Sequence, residues 1–207
     1  KADALARSAG DASLRAGVGY WLGRAYLADA ERATGDAART ARDRGIVLMN
    51  DALARLKTAP STASVSEIRA TLNLWIGKAM LERKPLDAAS LRDVLQHFRA
   101  AFGDQLAHGD INEAVACAEL VVRSTAALGD VAAAGHAAED LYDRLAATGR
   151  IDPVNAVRAL GRQLQDALAE TAPAGKLPAP VAAFYDHAAV SLVAAPDGRA
   201  AIVAALL

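Results

Sequence analysis

The side chains best suited to acid–base or metal chemistry in this sequence are four histidines, and they are widely separated along the chain: His97, His108, His136 and His187. No His-Glu-x-x-His or Glu-x-x-His pattern and no pair of cysteines accompanies them, so zinc and di-iron sites have no support. His108 immediately precedes a glycine, where a cation suits the carboxyl end of a helix. We therefore expect surface or capping histidines, no metal and no catalytic residue.

Nucleophiles and phosphate-binding loops are equally unsupported. Cys117 is the single cysteine, and its apolar surroundings (residues 114–118) favour a buried small side chain over a reactive thiol. Ser191 lies one helical turn after His187, but no strand-to-helix elbow surrounds it. The glycines at 17, 19 and 23 do not form Gly-x-Gly-x-x-Gly. The sequence thus predicts a protein that is not an enzyme and that holds no cofactor.

Charge and hydropathy exclude two classes of partner. The 207 residues include 23 basic and 24 acidic side chains, without a basic stripe, so we expect no nucleic acid. Charge-free stretches such as 188–196 are too short for membrane insertion. A single cysteine is compatible with a reducing compartment, which favours the cytoplasm. The chain starts at Lys1 rather than Met, and both ends look cut or processed, so the compartment stays open.

The pattern of apolar residues predicts an all-α protein. Alanine makes up about a quarter of the chain and is the strongest helix former. Apolar stripes of helical period indicate eight helices, and a short ninth helix is expected from Pro196 onwards. We expect helix ends at glycine, followed by an aspartate that caps the next helix, at Gly35-Asp36, Gly109-Asp110 and Gly129-Asp130. Asp152-Pro153 should be a cap and a first helical residue.

One helix is duplicated around the two tryptophans. Residues 14–27 align without gaps on residues 68–81, and six of the fourteen positions are identical, including Trp21 with Trp75 and Gly23 with Gly77. Because a glycine inside a helix is tolerated where another backbone comes close, we expect tight helix packing at both copies. The apolar stripe of the first copy is Leu14, Val18, Trp21, Leu22 and Ala25, and that of the second is Ile68, Leu72, Trp75, Ile76 and Ala79.

These segments resemble tetratricopeptide (TPR) repeats. Residues 22–26 (Leu-Gly-Arg-Ala-Tyr) are similar to the first helix of such a repeat, and the segments beginning at Gly109 and Gly129 are similar to the start of the second helix. The resemblance implies antiparallel helical hairpins in a TPR-like α-solenoid over residues 1–172, with C-terminal helices 173–207 packed on the array. A closed helical bundle is the alternative.

The resemblance also implies a function. The first helix of each TPR pair lines a groove that binds peptide, and this would place Tyr20, Arg24, Lys78 and Glu82 in such a groove. Arg24 and Lys78 occupy equivalent positions in the two copies and could hold a carboxylate of the partner. We expect a protein-binding scaffold or adaptor domain that is part of a larger protein, with its oligomeric state open. The alternative is a helical small-molecule or signal-sensing domain that regulates an attached effector, which predicts a deep apolar pocket.

Overall fold

A computed structural model describes residues 12–59, 62–83, 86–171 and 177–194, and every regular element within these ranges is an α-helix. The all-α prediction is therefore confirmed for the described residues. The expected ninth helix, from Pro196, lies outside them. The helices are α1 (Ala12–Arg32), α2 (Gly35–Leu56), α3 (Ala63–Leu81), α4 (Ala88–His108), α5 (Ile111–Ala127), α6 (Val131–Ala146), α7 (Pro153–Thr171) and α8 (Ala179–Ala194).

Glycine and aspartate mark the helix junctions around α5 largely as the sequence predicts. Gly109 and Gly129 have positive φ angles of 88° and 84°, a backbone conformation that glycine adopts without strain. Asp110 and Asp130 each accept a hydrogen bond from the backbone N–H three residues further on. Asp152 caps α7 in a similar way, and Pro153 is its first residue. Local chemistry alone therefore fixes these boundaries.

The junction between α1 and α2 departs from that prediction. Gly35 has a positive φ of 62°, but it is the first residue of α2, and Thr34 occupies the cap position without a side-chain hydrogen bond. Asp36 consequently lies inside the first helical turn, where its carboxylate pairs with Arg39. Its negative charge still suits the amino end of the helix, but its expected role as the cap was wrong.

The chain divides into two compact units, which are residues 1–109 and residues 110–207. We call them the N-terminal unit and the C-terminal unit. The division predicted from the sequence, at 172/173, falls within the C-terminal unit, in a connection (172–176) that lies outside the described residues. That division stays a prediction.

The N-terminal unit consists of two antiparallel hairpins, α1–α2 and α3–α4, with α3 packed against both helices of the first hairpin. Its buried core cluster draws side chains from α1, α2 and α3, among them Leu27, Met49, Leu56, Leu72 and Ile76. Packing of consecutive helices in this way is compatible with either a helical repeat or a bundle.

The buried face of α1 is not the apolar stripe that the sequence predicts. The buried residues are Ala16, Gly19, Gly23, Leu27 and Ala30. The predicted stripe instead faces solvent: Leu14 is 50% exposed, Trp21 69% and Leu22 45%. A Cβ atom built on Gly19 would lie only 2.8 Å from the Cβ of Ala52, so small residues let α2 pack against α1 at very short range. Close backbone packing thus decides which face of α1 is buried.

The C-terminal unit is arranged around α6, which packs against α5, α7 and α8. Tyr142, Phe184, Leu160 and Leu164 are fully buried in its interior. The rings of Tyr142 and Phe184 meet edge to face, with centroids 6.5 Å apart. None of the helices within the described ranges is long and apolar enough to cross a membrane.

Candidate functional site

The two copies of the duplicated helix are α1 and α3, and their glycines serve the same purpose. A Cβ atom on Gly23 would lie 2.6 Å from Cγ of Met49 in α2, and one on Gly77 would lie 2.6 Å from the ring of Phe98 in α4. Each glycine therefore lets the second helix of its hairpin pack at a distance that any side chain would prevent. Tight packing at both copies is confirmed.

The two tryptophans, in contrast, have different surroundings. Trp75 is covered by two cations: the guanidinium carbon of Arg24 lies 3.2 Å from a ring centroid of its indole, and Nζ of Lys78 lies 5.1 Å away. Both contacts are of the cation–π type. Trp21 faces solvent and touches the ring of Tyr20 edge to face, with centroids 5.1 Å apart.

The same contrast extends over the whole stripe on each helix. On α3, Leu72, Ile76 and Ala79 are buried in the core cluster that also holds residues of α1 and α2. The equivalent stripe on α1, which we call the α1 apolar face (Leu14, Val18, Trp21, Leu22 and Ala25), has no covering element among the described residues. One copy of a duplicated surface is thus covered by the preceding hairpin, whereas no described element covers the other copy.

The four residues predicted to bind peptide are only partly brought together. Arg24 and Lys78 meet on Trp75, and within the described part of the chain neither lies within salt-bridge distance of a carboxylate. Tyr20 is half-buried against the core cluster of the N-terminal unit. Glu82 is held elsewhere, because one of its carboxylate oxygens accepts a hydrogen bond from Nε of Arg42 at 3.1 Å.

A polar cleft in the N-terminal unit was not found from the sequence. Asn73 is only 4% exposed, and its side-chain oxygen lies 2.9 Å from Nδ1 of His97. The amide of Asn73 also donates to the backbone oxygen of Arg69. Burial lowers the pKa of His97, against a smaller opposing effect of the Asp93 carboxylate. His97 is half-buried, and its contact with Asn73 could not be predicted from the sequence because the two residues are 24 positions apart.

This cleft has a volume of about 440 Å³ and lies between α2, α3 and α4. Its lining includes Asn50, Asp93, Gln96 and His97. The side-chain oxygen of Asn73 accepts a hydrogen bond from the Nδ1–H group of His97. In neutral His97 the other ring nitrogen, Nε2, is therefore free of a proton and can accept a hydrogen bond. The cleft can accept and donate hydrogen bonds, but no group of three or more His, Cys, Asp or Glu side chains in the described ranges could hold a metal ion.

Two further residues considered above, His187 and Ser191, lie on α8 beside residues of α6. Nε2 of His187 lies 2.5 Å from a carboxylate oxygen of Asp143. Burial is the main cause that raises the pKa of Tyr142, against a smaller opposing effect of the Ser191 hydroxyl. Cys117 is fully buried, as predicted. The side chains of His187 and Ser191 thus connect α8 to α6, and they form no catalytic arrangement among the residues described.

Comparison with known proteins adds no relative to this description: no protein-family model, no curated protein and no solved structure matches the chain.

Proposed function

We propose that the N-terminal unit is a protein-binding module and that the α1 apolar face is its docking surface. The observation that supports this proposal is the difference in burial between two copies of one surface. The copy on α3 is covered by the preceding hairpin, whereas on α1 Trp21 is 69% exposed. Large apolar side chains grouped on one helix face are typical of protein interaction surfaces, and tryptophan contributes strongly to binding energy.

The covered copy indicates what kind of partner fits the open one. On α3, the stripe receives small and branched apolar residues of α1 and α2, and Arg24 stacks on Trp75. By equivalence, the partner of the α1 apolar face is an amphipathic helix that presents small apolar residues and a basic side chain over Trp21. Recognition of this kind would suit an adaptor or scaffold domain.

The cations on Trp75 lie at the edge of this surface. Arg24 is one helical turn from Trp21, so the two side chains are neighbours on α1. Because Arg24 and Lys78 lack a carboxylate partner within the described ranges, an acidic side chain of the bound helix would be stabilised beside them. The peptide-binding role predicted for Arg24 and Lys78 is retained in this form.

A library of displayed amphipathic helices, selected against the intact chain, tests the proposal. Helices that bind through the α1 apolar face should lose at least about tenfold in affinity when Trp21 and Leu22 are both changed to serine, since truncating a tryptophan that is a binding hot spot costs about 2 kcal/mol or more. Val47→Ser is the matched control, because Val47 is 57% exposed on α2 and lies outside this face. The Val47→Ser variant should bind the selected helices with unchanged affinity.

Two results would contradict the proposal. The first is enrichment of no helix, or of helices that bind the serine variant as tightly as the original chain. The second is concentration-dependent self-association that the serine variant abolishes, measured by sedimentation, because the face would then join two copies of this chain.

A further inference from the structure

A second opening in the molecule lies within the C-terminal unit, between α7 and α8, and is separate from the docking surface. It has a volume of about 520 Å³, which is in the size range of small-molecule sites. Its apolar lining comprises Val157, Gly161, Ala188, Ala189 and Leu192. Val157 and Leu192 are buried, so the cleft reaches the interior of the unit.

Small residues create this cleft. Gly161 carries no side chain, and the hydroxyl of Tyr185 donates a hydrogen bond to its carbonyl oxygen at 3.1 Å. A Cβ atom on Gly161 would lie 2.9 Å from that hydroxyl. Ala188 and Ala189 are the corresponding small residues of α8. The α7 wall extends from residue 157 to residue 165, which is about 12 Å of helix at 1.5 Å per residue, so the cleft is elongated.

Two arginines stand at the edge of the cleft. Arg158 and Arg162 are one turn apart on α7, and both line it. Arg162 lies 3.8 Å from the carboxylate of Glu119 and is 62% exposed, whereas the polar partner of Arg158 is the side-chain oxygen of Asn155 at 3.5 Å. Among the described residues, Asp186 on the α8 side is acidic and Glu119 lies beside Arg162, whereas Arg158 has no carboxylate within salt-bridge distance in the described part of the chain.

We infer that this cleft binds an elongated amphipathic carboxylate, such as a medium-chain fatty acid. The apolar body would lie along Val157, Ala188 and Leu192, where it is removed from water. The carboxylate would be held by Arg158 and Arg162, whose planar guanidinium groups match its geometry. A site of this kind corresponds to the small-molecule sensing alternative rather than to helix docking.

Calorimetric titration of the full chain with decanoate, decan-1-ol and decylamine tests the inference, with the two ionic probes below their micelle concentrations and the alcohol below its solubility limit. Decanoate should bind at least about tenfold tighter than decan-1-ol, which is the ordinary size of a charge-assisted hydrogen-bond contribution. The Arg158→Gln plus Arg162→Gln variant should lose this preference and keep its affinity for the alcohol. The control Arg150→Gln removes a charge outside the cleft and should behave like the original chain.

A second variant tests the apolar part. Ala189→Leu fills the cleft and should weaken binding of decanoate at least about tenfold. The Arg158→Gln plus Arg162→Gln variant changes only exposed side chains. It therefore tests carboxylate binding even if Ala189→Leu perturbs folding. Equal binding of decanoate and decan-1-ol, tighter binding of decylamine, or full retention of the decanoate preference in the arginine variant would each overturn the inference.

Discussion

The main chains of Gly23 in α1 and Gly45 in α2 approach each other reciprocally. A Cβ atom on Gly45 would lie 2.9 Å from the carbonyl oxygen of Gly23, and one on Gly23 would lie 3.0 Å from the carbonyl oxygen of Gly45. Neither contact involves the movable end of a side chain. The first hairpin therefore packs backbone to backbone, and this contact fixes which side of α1 is left for solvent.

Because of this contact, changing glycine to alanine should have opposite effects on the free energy of unfolding at two positions of the hairpin. Gly45→Ala should lower the free energy of unfolding by about 1–3 kcal/mol, because the overpacked methyl group costs more than the gain in helix propensity. Gly17→Ala, in the same hairpin, should raise it by about 0.5–1 kcal/mol, because nothing lies within 4 Å of the added Cβ. Urea unfolding followed by circular dichroism measures both. Stabilisation by Gly45→Ala would contradict the close backbone contact between Gly23 and Gly45.

A second prediction concerns the ion pair between Arg69 in α3 and Asp104 in α4. Nε of Arg69 donates to Asp104 at 2.8 Å, and a terminal nitrogen of the same guanidinium forms a second contact. The side chains are 33% and 13% exposed, so water screens the pair only partly. A double-mutant cycle to alanine should give a coupling energy of about 1–2 kcal/mol.

The control for that cycle is the pair formed by Asp36 and Arg39, whose side chains are 88% and 71% exposed. Its coupling should be about 0.5 kcal/mol or less, because exposed pairs are solvated and mobile. Equal coupling in the two cycles would show that burial does not strengthen the pair between α3 and α4.

The third prediction is a pH dependence from His97, whose pKa is lowered in the folded protein mainly by burial. Unfolded His97 takes up a proton as the pH falls through 6.5, its ordinary pKa, whereas the folded form resists protonation. The stability that neutral His97 contributes is therefore present above pH 6.5 and is lost as the pH falls towards the folded pKa. His97→Asn keeps a donor for Asn73 and should show a shallower loss between pH 7 and the folded pKa, measured by urea unfolding across that range. A parallel loss in both proteins would exclude His97 as the cause.

The fourth prediction separates the two tryptophans by fluorescence quenching. Trp75→Phe leaves only Trp21, which acrylamide should quench efficiently because it is 69% exposed. Trp21→Phe leaves only Trp75 beneath Arg24, and its quenching should be weaker. Adding Arg24→Ala to the Trp21→Phe variant should increase quenching of Trp75. Equal quenching of the two single-tryptophan proteins would contradict the difference between the two copies.

The helical class and several helix boundaries could be predicted from the sequence, because they depend on interactions within a few residues. Asp110 and Asp130 cap the helices that follow them, and Gly109 and Gly129 provide the positive φ angles. The need for glycine at 23 and 77 was also visible, since a glycine duplicated inside two helices indicates close packing. These features depend on residues that are close together in the sequence.

The surroundings of each face could not be predicted in this way. The sequence gives α1 and α3 nearly the same stripe, yet Leu72 and Ile76 are buried while Leu14 and Trp21 are exposed. The difference arises because α3 follows a hairpin that covers it, whereas no described element covers α1 in that position. Two contacts likewise join residues that are distant in sequence: Arg24 with Trp75, and Asn73 with His97. Local propensity determines which residues form a helix, but only long-range packing decides which of its faces is left for a partner.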